Sequence, residues 1–271
     1  MLNESQEITT TVVLPAQQQT VTECQTSTVG PSSRFCGVPV STYTTSGQIT
    51  CANTASAPSQ TVARFRIEGK DAEGTIFEDC IAASPEDITT NSGGTHRCDG
   101  TNNDANPAPG GTMTTAIDAA GDLNGFDFDG SWSDQFEDFF IMRIAGTDST
   151  GNQFWGVLRD FSFTQGGGCQ SYNSPGEGLW AFDAFNKNYF LDLSYKYAVV
   201  RPGDTVSLTI VDGNDGRRSP VPGALFAGQT SDANGVVTFA APAMDGCYQY
   251  KATRNDAIRS PAFYLSVVSS F

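Results

Sequence analysis

The sequence predicts a mostly β fold, with one α+β domain followed by a small β-sandwich. Short runs of alternating apolar and polar residues recur from residue 62 onward, and only one segment has helical spacing. Residues 198–271 are punctuated by the turn signals Pro202-Gly203-Asp204, Asn214-Asp215-Gly216 and Ala233-Asn234-Gly235. A chain of 271 residues has room for two domains, each with its own core.

Residues 1–61 form a polar N-terminal segment rich in Thr, Ser and Gln. Such composition buries little, and in secreted proteins Ser/Thr-rich runs are often glycosylated stalks. Within it "ITTTVVLP" is β-branched and alternating, with Ile8, Thr10, Val12 and Leu14 in phase, as a strand would have it.

Residues 62–197 read as the α+β domain. "VARFRIEGK" alternates, with Val62, Phe65 and Ile67 expected inward, and "DAEG" turns it into "TIFEDCIAA" as a hairpin. A helix is expected after Thr112 as N-cap, with Met113, Ala116, Ile117 and Ala120 on one face and Asn124-Gly125 as its stop. "FEDFFIMRIAG" and "NQFWGVLRDFSF" read as strands paired around "TDSTG". "GLWAFDAFN" reads as the last strand, with Leu179, Ala181 and Phe185 inward. Residues 198–271 carry only short alternating strands and form the sandwich.

Lysine and arginine number 15 against 30 acidic residues, a net charge of −15. Phosphate neutralisation needs clustered cations, so nucleic acid is excluded as a partner. No window approaches the roughly 20 apolar residues that span a bilayer. The opening "MLNESQEI" lacks the basic start and apolar core of a leader, so a secreted chain is expected to have lost its own. The end, "YLSVVSSF", carries no lipid-anchor signal. Seven cysteines, at 24, 36, 51, 80, 98, 169 and 247, are too dispersed for a Cys-x-x-Cys motif and favour disulfides in an oxidising compartment. Cys36 is expected to pair with Cys51, and the odd count leaves one thiol free or paired to another chain.

"VARFRIEG", "TMTTAIDAA", "FFIMRIAG", "FWGVLRDFSF" and "LWAFDAF" occur in the order found in the transcobalamin C-terminal-like domain, a β-grasp-type fold. The chain resembles, more closely, secreted surface proteins of fungi and Gram-positive bacteria. Those carry "C-x-G-T" before the helix, matched by Cys98-Asp99-Gly100-Thr101, and a second cysteine after the "W-G" strand, matched by Cys169. They append an Ig-like domain, matched at Lys251-Ala252-Thr253 and at Ala257 to Ser260. The resemblance covers about residues 62–268 and implies a β-grasp-like domain, an Ig-like sandwich, secretion and no assigned activity. Corrinoid binding, a property of the carriers, is not expected, because the chain has no helical toroid domain. It also reads Arg159-Asp160 where the pattern has Val-Asn. With Gly166 to Gly168 giving Cys169 freedom, the expected bridge is Cys98 to Cys169.

The stretch "THRCDGTNNDANPAPGG" holds the only histidine, His96. A hydrolase site there would need a nucleophile and an orienting acid, and no G-x-S-x-G elbow exists. Its carboxylates do not follow calcium-loop spacing, and Asn and Asp equally serve turns, so it reads as a disulfide-anchored loop feeding a capped helix. In "DLNGFDFDGSWSDQFEDFF" two readings stand: Asp127, Asp129 and Asp134 as calcium ligands, or acids facing out with Phe126, Phe128, Trp132 and Phe136 facing in. The same patch read as a glycosidase carboxylate pair has only chance spacing behind it. Trp155 and Trp180 fall in strand patterns, where core packing is the default, whereas Trp132, in a loop between turns, is the better candidate for an exposed platform on which a sugar could stack. The expected function is a non-catalytic extracellular or cell-surface protein, structural or adhesive, with no cofactor unless calcium. Its partners would be copies of itself or extracellular glycans and proteins. The strand at Ile8–Leu14 would add to an open sheet edge of a neighbour. The alternative is a carbohydrate- or small-ligand-binding module, with a glycan hydrolase third.

Overall fold

The computed structural model describes residues 6–14, 17–25, 34–35, 38–39, 47, 49, 51, 55–57, 59–214 and 216–269, the first four stretches by their backbone alone. Among the described residues the fold is mostly β with one α-helix. It divides into two compact units, Asn53–Tyr189 and a second that unites Met1–Ala52 with Phe190–Phe271.

At the N-terminus β1 (Gln6–Leu14) and β2 (Gln17–Gln25) form an antiparallel hairpin, with Ile8 opposite Glu23, Thr10 opposite Val21, Val12 opposite Gln19 and Leu14 opposite Gln17. The expected strand is there, but its inner edge is already paired within its own chain. β3 (Arg34–Phe35) and β4 (Val38–Pro39) make a short second pair.

In the unit Asn53–Tyr189, β5 (Thr61–Glu68) and β6 (Thr75–Ala83) form the expected hairpin. β7 (Glu86–Thr90) and β8 (Gly94–Cys98) form another and lead into α1 (Met113–Asn124). Thr112 caps the helix in a reciprocal capping box with Thr115, worth about 1 kcal/mol. Gly125 ends it in the left-handed conformation that glycine tolerates best. Met113, Ala116, Ile117 and Ala120 are buried, as their spacing predicts, and α1 packs on β6.

β9 (Phe128–Ser133), β10 (Asp138–Ile144) and β11 (Thr147–Asp148) form a three-stranded sheet in the order β11-β10-β9. The next strand, β12 (Trp155–Arg159), does not pair with β10 as its pattern suggests. It joins β13 (Ser162–Phe163) and β14 (Glu177–Phe182) in a five-stranded sheet, order β13-β12-β14-β5-β6, in which only β14 and β5 are parallel. Alternation shows that a segment is a strand but not which strand it will meet.

The core of this unit gathers Phe65, Ile67, Phe77 and Ile81 with the helix face and with Phe128, Phe139, Ile141, Trp155, Trp180 and Phe182. Each large apolar side chain so buried contributes roughly 1.5–3 kcal/mol. Ala63 rather than Val62 lies in phase with Phe65 and Ile67 and is buried, while Val62 is half-buried. Phe185, expected inward, follows β14 in a short 3-10 turn and is 62% exposed. The departure of most consequence is on the other face of β5. Arg64, Arg66 and Glu68, the polar half of the alternation, are buried too.

The boundary at 189/190 falls earlier than the expected 197/198, because β15 (Tyr189–Leu193) pairs with β17 (Thr205–Asp212). β15 and β17 share a sheet with β20 (Val236–Ala240) and β22 (Ala257–Ile258), in the order β20-β17-β15-β22. A second sheet orders β16 (Tyr197–Val200), β23 (Phe263–Val267) and β21 (Gly246–Tyr250) as β16-β23-β21. β18 (Leu225–Phe226) and β19 (Gln229–Thr230) form a small ribbon, whose Phe226 ring meets Phe263 at 5.8 Å. The N-terminal stretch is not a separate segment at 1–61. Gly47 O accepts the Lys196 N–H at 2.7 Å, and at φ +71° a side chain there would run into Tyr195.

Candidate binding site

The loop after β8 and the loop before β14 are joined by the Cys98–Cys169 disulfide, as expected, with both sulfurs buried. The expected Cys36–Cys51 bridge does not form, because Cys51 is bonded to Cys80; Cys36 lies outside the described residues. Cys247 is disulfide-bonded as well. Pairing follows proximity in the fold, and spacing along the chain could not supply it.

Several polar residues of the loop after β8 are engaged within that loop and by its neighbours. Asp99 accepts the Thr101 N–H at 2.9 Å and its hydroxyl at 2.7 Å, and pairs with Arg97 at 3.1 Å. Asn102 accepts from Asp99 N–H and donates to Arg97 O, while Asn106 donates to Gly100 O and Gln170 O, each at 2.7 Å. Gly100 lies against the Tyr172 ring where a Cβ would collide, and the Tyr172 hydroxyl donates to Ala108 O. These bonds build a turn, the role Asn and Asp side chains commonly take in loops.

His96 stacks on Trp132 at 4.0 Å with an interplanar angle of 6°, and Phe139 meets Trp132 edge-on at 4.9 Å. His96 Nε2 donates to Gly93 O at 2.9 Å. One face of Trp132 is thus covered by His96, and its indole N–H donates to Asp134 at 2.9 Å. The exposed platform expected at Trp132 is a packed aromatic cluster. Trp155 and Trp180 are in the core.

The three proposed calcium ligands are not brought together. Asp127 holds Arg143 in a two-pronged pair at 2.7 and 3.1 Å, and that hydrogen bond lowers its carboxyl below the ordinary value. Asp129 is also held low: burial raises it, but bonds from the Ser92 hydroxyl and N–H and from Gly130 N–H outweigh that. Asp134 accepts from Trp132. Among the described residues no group of three or more His, Cys, Asp or Glu side chains is placed to hold a metal ion. The aromatic-inward alternative holds at Phe128, which is buried, and fails at Phe136, which is exposed.

Asp138 belongs to the same acidic stretch but is not one of the three expected calcium ligands. It is buried beneath the Cys169 loop, accepts the N–H groups of Cys169 and Phe139, and burial pushes its carboxyl up to about 6. Glu86 is also pushed up to about 6, by burial and then by Asp118 and Asp122, and Asp118 is raised too. These groups hold protons in the folded state at pH values where the unfolded chain, with carboxyl pKa near ~4, has released them. For Asp138 and Glu86 the contribution to stability is therefore full below about pH 4 and lost as pH rises through about 6. Thermal melts are expected to show the midpoint rising as pH is lowered from 7 to 5, with Asp138→Asn flattening the rise. A midpoint that falls over that interval would contradict the assignment.

Between the two bridged loops lies a cleft of about 680 Å³, lined by Asn106, Arg159, Ser162, Gln165, Gln170 and Tyr172 among others. Its size falls within the ~300–1,000 Å³ of small-molecule sites, though its lining is polar rather than apolar. Arg159 ends β12, and Ser162 opens β13 across a two-residue turn. Both turn residues have positive φ, Asp160 at 48° and Phe161 at 65°, a conformation that costs a bulky residue roughly 1–2 kcal/mol. Asp160 fixes it by accepting the Glu177 N–H at 2.8 Å, and Phe161 by packing over the Arg66 guanidinium at 5.9 Å.

A mostly β, disulfide-bonded protein with a polar cleft is the class these features define. No helix among the described residues is long and apolar enough to cross a membrane. In comparisons with protein-family models, curated proteins and solved structures, the chain finds no match.

Proposed function

We propose that the chain is an extracellular, non-catalytic structural or adhesive protein, built from a β-grasp-like unit and an Ig-like sandwich, that assembles with copies of itself through its N-terminal hairpin. The observation that carries this reading is the β1–β2 hairpin. It pairs over nine rungs, yet among the described residues no further strand hydrogen-bonds to either of its outer edges. A two-stranded ribbon alone is marginal in water, and an open edge invites another strand. β1 lies beside β16, the end strand of its sheet. The same hairpin set beside β16 of the next copy gives a head-to-tail contact, and such a contact builds a filament when its rotation does not close.

The disulfides favour the extracellular setting. The β-grasp-like part of the reading is supported by a helix packed on a mixed sheet with one parallel pair at its centre. The non-catalytic part is supported by Asp99, Asp127, Asp129 and Asp138, whose carboxylates are bonded by the protein's own N–H groups and cations.

Light scattering after size-exclusion chromatography, with electron microscopy of the same sample, tests the assembly. The full chain is expected to form oligomers or filaments, and deletion of the hairpin Gln6–Gln25 is expected to leave monomers. A full chain that stays strictly monomeric at high concentration would sink the proposal.

A further inference from the structure

The cleft between the bridged loops contains one charged lining residue, and it is a cation in a chain of net charge −15. Every other Lys and Arg of the unit Asn53–Tyr189 has a partner. Arg64 and Arg66 hold glutamates, Arg97 and Arg143 aspartates, Lys187 holds Asp183, and Lys70 donates to Gly146 O. Among the described residues the Arg159 guanidinium has neither a hydrogen bond nor an ion pair, although Arg159 is half-buried and set by a strained, doubly pinned turn. A half-buried guanidinium with its donors unspent is matched to a planar anion, which it takes by two parallel hydrogen bonds.

The rest of the lining narrows the ligand. The Ser162 hydroxyl and the Gln165 side-chain amide are likewise without a partner among the described residues, and both line the cleft with Arg159. Phe163 also lines the cleft; it is 39% exposed and stacks on Phe185 at 4.8 Å, presenting an apolar ring next to polar donors. Hydroxyl and amide partners, an aromatic edge and one fixed cation together fit a sugar that carries a carboxylate. A long polyanion is disfavoured, since the net charge repels it along its whole length.

We propose that this cleft binds a short acidic saccharide, one uronic or sialic acid residue with its carboxylate on Arg159 and a neighbouring ring against Phe163. The site is independent of hairpin assembly, so either proposal can fail without the other.

Calorimetric titration of the full chain with digalacturonic acid, N-acetylneuraminic acid and neutral galactobiose tests it. At least one acidic sugar is expected to bind saturably, and about tenfold or more tighter than galactobiose. Arg159→Gln should remove that preference, and Arg159→Lys should restore part of it. Arg159 has no partner to lose, so the fold should tolerate both changes. Gln165→Ala should weaken binding while keeping the preference for acid. Equal binding of acidic and neutral sugars, a preference that survives Arg159→Gln, or no binding of either acid at millimolar concentration would each overturn the assignment.

Discussion

Arg66→Met is expected to destabilise the unit Asn53–Tyr189 by about 3–5 kcal/mol, the cost of removing one partner from a buried ion pair. Arg66 is fully buried in β5, with Nε 3.0 Å from Glu177 and a terminal nitrogen 3.1 Å from Glu68. Glu68 is itself buried and accepts the Thr75 hydroxyl, and Arg64 pairs with Glu78 alongside at 2.9 Å. Burial lowers the Arg66 pKa, but Glu177, Glu68 and Glu78 outweigh it and hold the guanidinium above its ordinary value. The cation and the acids are therefore stable in the interior only together. Methionine keeps most of the volume and removes the charge, which leaves Glu68 and Glu177 short of their counter-ion.

A buried carboxylate without its counter-ion costs stability only while it is charged, so part of the stability lost in the variant should be regained as pH is lowered. Urea denaturation at pH 7 and pH 5 checks this. The deficit should be smaller at pH 5, and adding Glu68→Leu to Arg66→Met should recover part of it at pH 7. A deficit below about 1 kcal/mol at both pH values would mean that the network stabilises no more than a surface pair.

That network shows where the sequence stops being readable. "VARFRIEGK" alternates cleanly, and period-2 logic places Phe65 and Ile67 inward, as found. The same logic sends Arg64, Arg66 and Glu68 to solvent, which fails because β5 lies between β14 and β6 and is buried on both faces. Alternation ranks the two faces of a strand but does not report whether the polar face is covered. The helix was legible to the residue, because its signals are local: a threonine cap, apolar spacing and a terminal glycine. β12 was legible as a strand, but its partners in the five-stranded sheet were not. The cleft was less legible still. Arg159 appeared only as a departure from a motif, and its value depends on the residues that do not reach it. Asp138 and His96 likewise draw their surroundings from loops distant in sequence, Asp138 from the Cys169 turn and His96 from Trp132 on β9.

Removing the Cys98–Cys169 bridge is the second change expected to have a large effect. The bond closes a loop with a sequence separation of 71, and the chain-entropy estimate for such a loop is about 4 kcal/mol. The consequences should be unevenly placed. Cys98 Sγ lies 3.2 Å from the Thr112 hydroxyl that caps α1, and Cys169 N–H is bonded to the buried Asp138 carboxylate. Gly100 N–H donates to Cys169 O, so the cleft's two walls meet at this bridge. The double variant Cys98→Ala/Cys169→Ala should therefore lower the urea midpoint by an amount equivalent to about 3–4 kcal/mol. Amide exchange should rise first in residues 99–111 and 164–172, where the walls are held mainly by the bridge and by loop hydrogen bonds. The sheet beneath them should stay protected until global unfolding, because Phe65, Ile67 and Trp180 pack there without help from the disulfide. Uniform acceleration across the whole unit would instead mean that the bridge stabilises the fold only through the unfolded chain and does not shape the cleft.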